Sequence, residues 1–111
     1  MLPDSKKLLF DMREAAHAIA EFTRSRAMDD LCGDDILRSA VYYQFIIICE
    51  ALSKLRQHDP STAQRLSEYN RIIGFRNQII HGYSMVDHET TWRIIELKIP
   101  ILIRELDELL K

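Results

Sequence analysis

The run DILRSAVYYQFIIICEALSKLR, residues 35–56, constrains the fold more than any other stretch of the chain. Between Val41 and Leu55 apolar side chains occupy almost the whole circumference of a helix. The β-branched Ile46-Ile47-Ile48 alone would suit a strand, but the length of the run and the Ala-Leu-Ser-Lys-Leu that follows favour a helix from a cap at Asp34 or Asp35 to about Arg56. A helix with two apolar faces has one more than a small bundle can bury. A homodimer interface is the economical account, and a central helix wrapped by its own neighbours is the other. Glu50 is the only charged residue between Arg38 and Lys54, so it is either a buried, hydrogen-bonded carboxylate or a residue at a groove edge.

Helical spacing continues on both sides. Leu8, Met12, Ala15, Ile19 and Phe22 share one face of a helix over about 4–25, with Asp4 as its expected N-cap. AMDDLCGDD interrupts the pattern and reads as a connector over 27–35, and HDPST reads as a loop. AQRLSEYNRIIGFRNQIIH then offers helices over about 61–68 and 70–81, with Gly74 expected at a close contact and Gly82 as a C-cap. After a short Gly82–Val86 loop, Asp87 caps a last helix that Pro100 should kink near Ile99. The sequence therefore predicts an all-α, antiparallel bundle of four to five helices in one domain spanning residues 1–111.

Composition narrows what such a bundle can do. Fifteen Lys and Arg against seventeen Asp and Glu give a net charge of −2, so no global basic field draws the chain to nucleic acid or anionic lipid. Two cysteines, Cys32 and Cys49, are too few for a disulfide scaffold and lack zinc spacing. They fit a reducing cytoplasm, and both are expected to be buried and structural rather than catalytic. The charged N-terminal stretch is unlike a signal peptide, and no stretch is expected to approach the ~18 apolar residues of a membrane span. Neither export nor a membrane partner is expected. Gly-rich phosphate loops, G-x-S-x-G and Walker signatures are absent.

Polar residues concentrate in FRNQIIHGYSMVDHE, residues 75–89. Asn77 and His81 are four apart and share a helix face, whereas Arg76 and His81 are five apart, about 140° around an ideal helix. That pair converges only near a fraying end or across a dimer. From Arg65 to His81 three arginines face a single Glu68, a local excess of cations inside an anionic chain. A phosphate site fits this string: Arg presents a planar fork to phosphate oxygens, and His moves protons near neutral pH. Together they supply what RNA cleavage through its own 2′-hydroxyl requires, without a metal or cofactor. As a lone residue, His81 would equally serve as a helix C-cap favoured by the macrodipole. His81, Asp87, His88 and Glu89 include metal-ligand types but form no established ligand pattern.

Arg76-Asn77-Gln78-Ile79-Ile80-His81-Gly82-Tyr83, with Val86-Asp87 and Trp92 following, resembles the R-x4-H-x-Y signature of HepT-like toxins in the HEPN superfamily. The similarity extends over essentially all 111 residues: the N-terminal helix, the Cys49-Glu50-Ala51 stretch with Leu55, a Pro-containing loop, Ile73-Gly74-Phe75 before the Arg, and a Pro in the last helix. What the resemblance implies is a HEPN-like homodimer whose two motifs meet in a shared cleft. It would act as a metal-independent endoribonuclease toxin of a type VII toxin–antitoxin system. By the same resemblance Arg76 and His81 are the catalytic pair, Asn77 supports them, and Tyr83 is the residue to which a cognate minimal-nucleotidyltransferase antitoxin attaches AMP. Many relatives carry other residues where this chain has Gly82-Tyr83-Ser84, which affects subfamily placement and not the motif. An alternative keeps the fold and drops the catalysis, making the chain a substrate-binding subunit of a nucleotidyltransferase complex. A purely structural dimerisation module would leave RNQIIHGY unexplained.

Overall fold

The structure, a computed structural model, describes residues 1–81 and 87–111, and the side chains of all of these except Ile73, Ile80 and His81. Among the described residues every regular element is helical: α1 (Pro3–Thr23), α2 (Met28–Gly33), α3 (Asp35–His58), α4 (Pro60–Ala63), α5 (Tyr69–His81), α6 (His88–Leu97) and α7 (Ile99–Leu109). The long helices form the expected all-α bundle, α2 is a short helix where a connector was predicted, and α4 straddles the predicted HDPST loop and the start of the helix predicted over 61–68.

Both additions have local causes. In α2 the Asp30 carboxylate reaches back to accept from the Ala27 backbone N–H at 2.8 Å, and Leu31 is driven fully into the core. In α4 Pro60 stands at the first helical position, and Asp59 accepts from the Thr62 N–H at 3.3 Å and the Thr62 hydroxyl at 2.7 Å. The segment predicted as a helix over 61–68 ends early, at Ala63. Asp34 caps α3 by accepting from the N–H groups of Ile36 and Leu37, both at 3.0 Å. Pro3, not Asp4, opens α1: Leu2 precedes the helix and Asp4 lies in its first turn. The buried face of α1 agrees with the predicted one at its centre and departs from it at both ends. Met12, Ala15 and Ile19 are buried as predicted, but the face continues through Ser5, Leu9, Ala16 and Thr23, with Leu8 at its margin and Phe22 exposed. Pro100 does more than kink the last helix. Its missing N–H and the bend at Lys98 divide the stretch into α6 and α7.

α3 is the axis of the bundle, packed by α1, α2, α4 and α5, while α7 closes on α1. α1 and α3 are antiparallel: the Ser5 hydroxyl at the start of α1 donates to Asp59, just beyond the end of α3, at 2.8 Å. Val41, Ile48, Leu52 and Leu55 of α3 are buried against Leu9, Met12, Ala16 and Ile19 of α1 and Leu102 and Leu106 of α7. By length and composition α3 could cross a membrane, with a mean hydropathy of 1.3, contrary to the expectation that no stretch comes near. Here 44% of that stretch is buried inside the bundle, where it serves as the core.

Not all of α3 is covered. Ile36 is 83% and Tyr43 62% exposed, and Ala40, Ile46 and Ile47 are half-buried, so an apolar stripe at helical spacing remains on the outside. The surplus face read from the sequence is therefore real within one chain. Two residue-level expectations fail. Gly74 is exposed, and among the described residues nothing lies within 4 Å of where a Cβ would stand, so it marks no close contact with them. Cys32 is exposed rather than buried.

Candidate active site

α5 is held to α3 by Ile72, Phe75 and Ile79, spaced three and four apart, the latter two buried. The Phe75 ring stacks on Phe45 with centroids 5.0 Å apart and meets Tyr42 edge-on at 6.4 Å. Antiparallel packing pairs Ile72 with Cys49, whose thiol donates to the Ile72 carbonyl at 3.6 Å. This anchoring fixes the next residue. Arg76 leaves the edge of the seam, and its Nε and Nη2 donate to Glu50 Oε1 at 3.2 and 2.9 Å. Both side chains stay in reach of solvent, 29% exposed for Arg76 and 47% for Glu50. Glu50 thus resolves as a groove-edge carboxylate. It borders a shallow groove between α1 and α3 lined also by Leu8, Asp11, Tyr43, Ile47 and Lys54.

The other predicted site residues are brought together only in part. Asn77 is exposed on α5, one position beyond Arg76. His81 is the last residue of α5, five positions beyond Arg76 along one unbroken helix, and its side chain lies outside the described residues, as do residues 82–86 with Gly82 and Tyr83 among them. Asp87 caps α6 as expected, accepting from the Glu89 N–H at 3.0 Å and the Thr90 hydroxyl at 2.9 Å. Those bonds, the Thr90 hydroxyl first, lower its pKa.

Charge around Arg76 is more balanced than the sequence count implied. Glu68 is shared by Arg71 at 3.3 Å and Lys98 at 3.1 Å, and Glu50 adds a second carboxylate from α3. The nearby enclosed cavity, lined by Phe45, Ile48, Cys49, Ile72 and Phe75 among others, holds about 20 Å³. That is room for one water and none for a nucleotide. Burial pushes the Cys49 thiol up to about 12 despite the Arg76 guanidinium, so Cys49 is no nucleophile at neutral pH.

Sequence reasoning passed over one polar network. The buried Tyr42 hydroxyl lies 2.8 Å from His88 Nδ1 and 2.9 Å from Thr91 Oγ1, tying the start of α6 to the middle of α3. Tyr42 reads as one more aromatic in an apolar run, and a pairing 46 residues apart leaves no local signal.

The family profile described as "Ribonuclease HepT-like" matches residues 12–109, nearly the whole chain and all of the α3–α5 seam. The chain belongs to the HepT-like ribonuclease family. "Putative RNase MJ1380" of Methanocaldococcus jannaschii is 28% identical over 104 residues, covering 94% of each chain. "Probable ribonuclease HepT" of Thermococcus cleftensis is 30% identical over 109 residues, covering 96% of each. No solved structure is significantly similar. Within the family match, the HepT-like chain carries Arg76 and His81 on one helix, with Arg76 seated at the surface against Glu50.

Proposed function

We propose that this HepT-like chain is an endoribonuclease that needs no metal, acting in the cytoplasm as the toxin of a toxin–antitoxin pair. The observation that carries the reading is Arg76: a guanidinium at the molecular surface, held on α5 within a chain matched over residues 12–109 by a ribonuclease family. In the proposed reaction the RNA 2′-hydroxyl attacks the adjacent phosphorus. The 2′-O–P bond forms, the P–O5′ bond breaks, and the products are a 2′,3′-cyclic phosphate and a 5′-hydroxyl. One proton must leave the 2′-hydroxyl and one must reach the departing O5′, and His81 is the group suited to move them. Arg76 stabilises the charge that grows on the phosphoryl oxygens. A homodimer through the exposed stripe of α3 would supply a second His81 and a second Arg76, and Asn77 would add a hydrogen bond to RNA.

His81→Ala and Arg76→Ala should each lower cleavage of an RNA oligonucleotide ~10²–10⁴-fold while leaving the helical circular dichroism unchanged. Chelator should have no effect. Wild-type rates in both variants, or loss of activity with chelator, would sink the reading.

Tyr83 is the proposed control point: a partner nucleotidyltransferase would transfer AMP from ATP to its hydroxyl, with the hydroxyl oxygen bonding to the α-phosphorus and pyrophosphate and the hydroxyl proton leaving, and the added phosphodiester and base would compete with RNA for Arg76. Co-expression with the antitoxin and ATP should add AMP-sized mass to the wild type and none to Tyr83→Phe, which should stay toxic. Neutralisation of Tyr83→Phe without any mass increase would show inhibition by binding alone.

A further inference from the structure

Glu50 stands outside the Arg76–His81 motif, 26 residues earlier in the chain, yet the fold seats it on Arg76. We propose, resting on the reading above, that Glu50 is the positioning residue for Arg76: it holds the guanidinium by its Nε edge so that the Nη1 edge faces the RNA phosphate. Both contacts converge on one oxygen, Glu50 Oε1, from Nε at 3.2 Å and Nη2 at 2.9 Å. Two donors on one side of the planar fork fix its orientation as well as its place. Neither side chain hangs from a loop. Cys49 and Ala51 bury the α3 backbone on either side of Glu50, and Phe75, stacked on Phe45, buries the α5 backbone beside Arg76.

The pair also has an electrostatic consequence. Before RNA binds, the carboxylate offsets the guanidinium charge, so Arg76 is kept from binding anions indiscriminately while staying correctly aimed. Orientation and charge can be separated by substitution. Glu50→Gln keeps an oxygen that can accept from Nε and Nη2 but removes the negative charge, while Glu50→Ala removes both. A surface ion pair with no part in the reaction would leave kinetics unaltered and contribute little stability.

The test is steady-state cleavage of a single-stranded RNA oligonucleotide by the full-length chain, with wild type, E50Q, E50A and R76A compared at several salt concentrations and circular dichroism checking each fold. E50A should lose ~10²-fold in kcat without a raised KM, the cost of a misaimed but still present cation. E50Q should keep kcat within a few-fold, lower KM, and show a steeper rise of KM with salt, since one more phosphate contact is no longer offset. An E50A variant with wild-type kcat, in a protein whose activity R76A abolishes, overturns the role of Glu50 and leaves the ribonuclease reading standing. Equal losses of kcat in folded E50A and E50Q also overturn it, because the carboxylate would then be moving a proton rather than aiming Arg76. A wild-type chain that cuts no RNA, or an R76A variant that cuts as wild type does, overturns the parent reading and the role of Glu50 with it.

Discussion

Asp59 shows how much one side chain can hold. Its carboxylate caps α4 through Thr62 and ties down the start of α1 through the Ser5 hydroxyl at 2.8 Å, with Ser61 donating at 3.2 Å. The Thr62 and Ser5 hydrogen bonds hold its pKa down to about 2 from an ordinary 3.8. Because the folded pKa is depressed, the unfolded chain binds more protons between those values, so this contribution is present above about pH 4 and is lost as pH falls toward 2. In urea titrations from pH 5 to 2, the wild-type midpoint should fall more steeply than that of Asp59→Asn, which keeps an acceptor and has no charge to lose. Parallel curves would mean that the cap is not a source of acid sensitivity. A capping Asp before Pro60 can be read locally, but its bond to Ser5, 54 residues away, cannot.

At the level of the element, α5 carries the candidate site and also a weak point in its own helix. Gly74 is a mid-helix glycine with no described residue near its missing Cβ and no special backbone angle. Its backbone freedom in the unfolded chain costs the helix without any packing return. Gly74→Ala should therefore stabilise the protein by ~0.5–1 kcal/mol, read as a higher urea midpoint at unchanged m. Destabilisation would mean that another surface approaches α5 there. From sequence alone Gly74 pointed the opposite way, because a glycine beside Phe75 suggests tight packing and periodicity cannot tell which side of a helix is empty. The Asp87 cap, a cap at Asp34 or Asp35 and a bend at Pro100 were legible because each acts within four residues of itself. The short helix α2 escaped that reading because its polar, Gly-containing segment looks like a loop until a nearby core accepts Leu31, and α4 keeps only the first residues of the helix predicted over 61–68.

For the molecule as a whole, the open question is what covers α3. Ile36, Tyr43 and Ile47 leave an apolar stripe that runs to Glu50 at the edge of the candidate site, and the proposed dimer would place two such sites side by side. Sedimentation at micromolar concentration should give about 26 kDa, twice the 13.0 kDa chain, with an interface above ~1,000 Å². Tyr43→Asp should return the protein to 13.0 kDa and reduce RNA cleavage, and a wild type that sediments as monomer would remove the composite site. The all-helical class, the order of the long helices and the Arg76–His81 string were determined by sequence alone, since spacing, capping and the removal of an N–H by proline act over one or two turns. Where the buried face of α1 ends, which face of α3 stays open, and the meeting of Glu50 with Arg76 were decided only by the tertiary structure. Those depend on how α1 and α5 settle against α3, and helix packing joins residues whose separation along the chain carries no periodic signal.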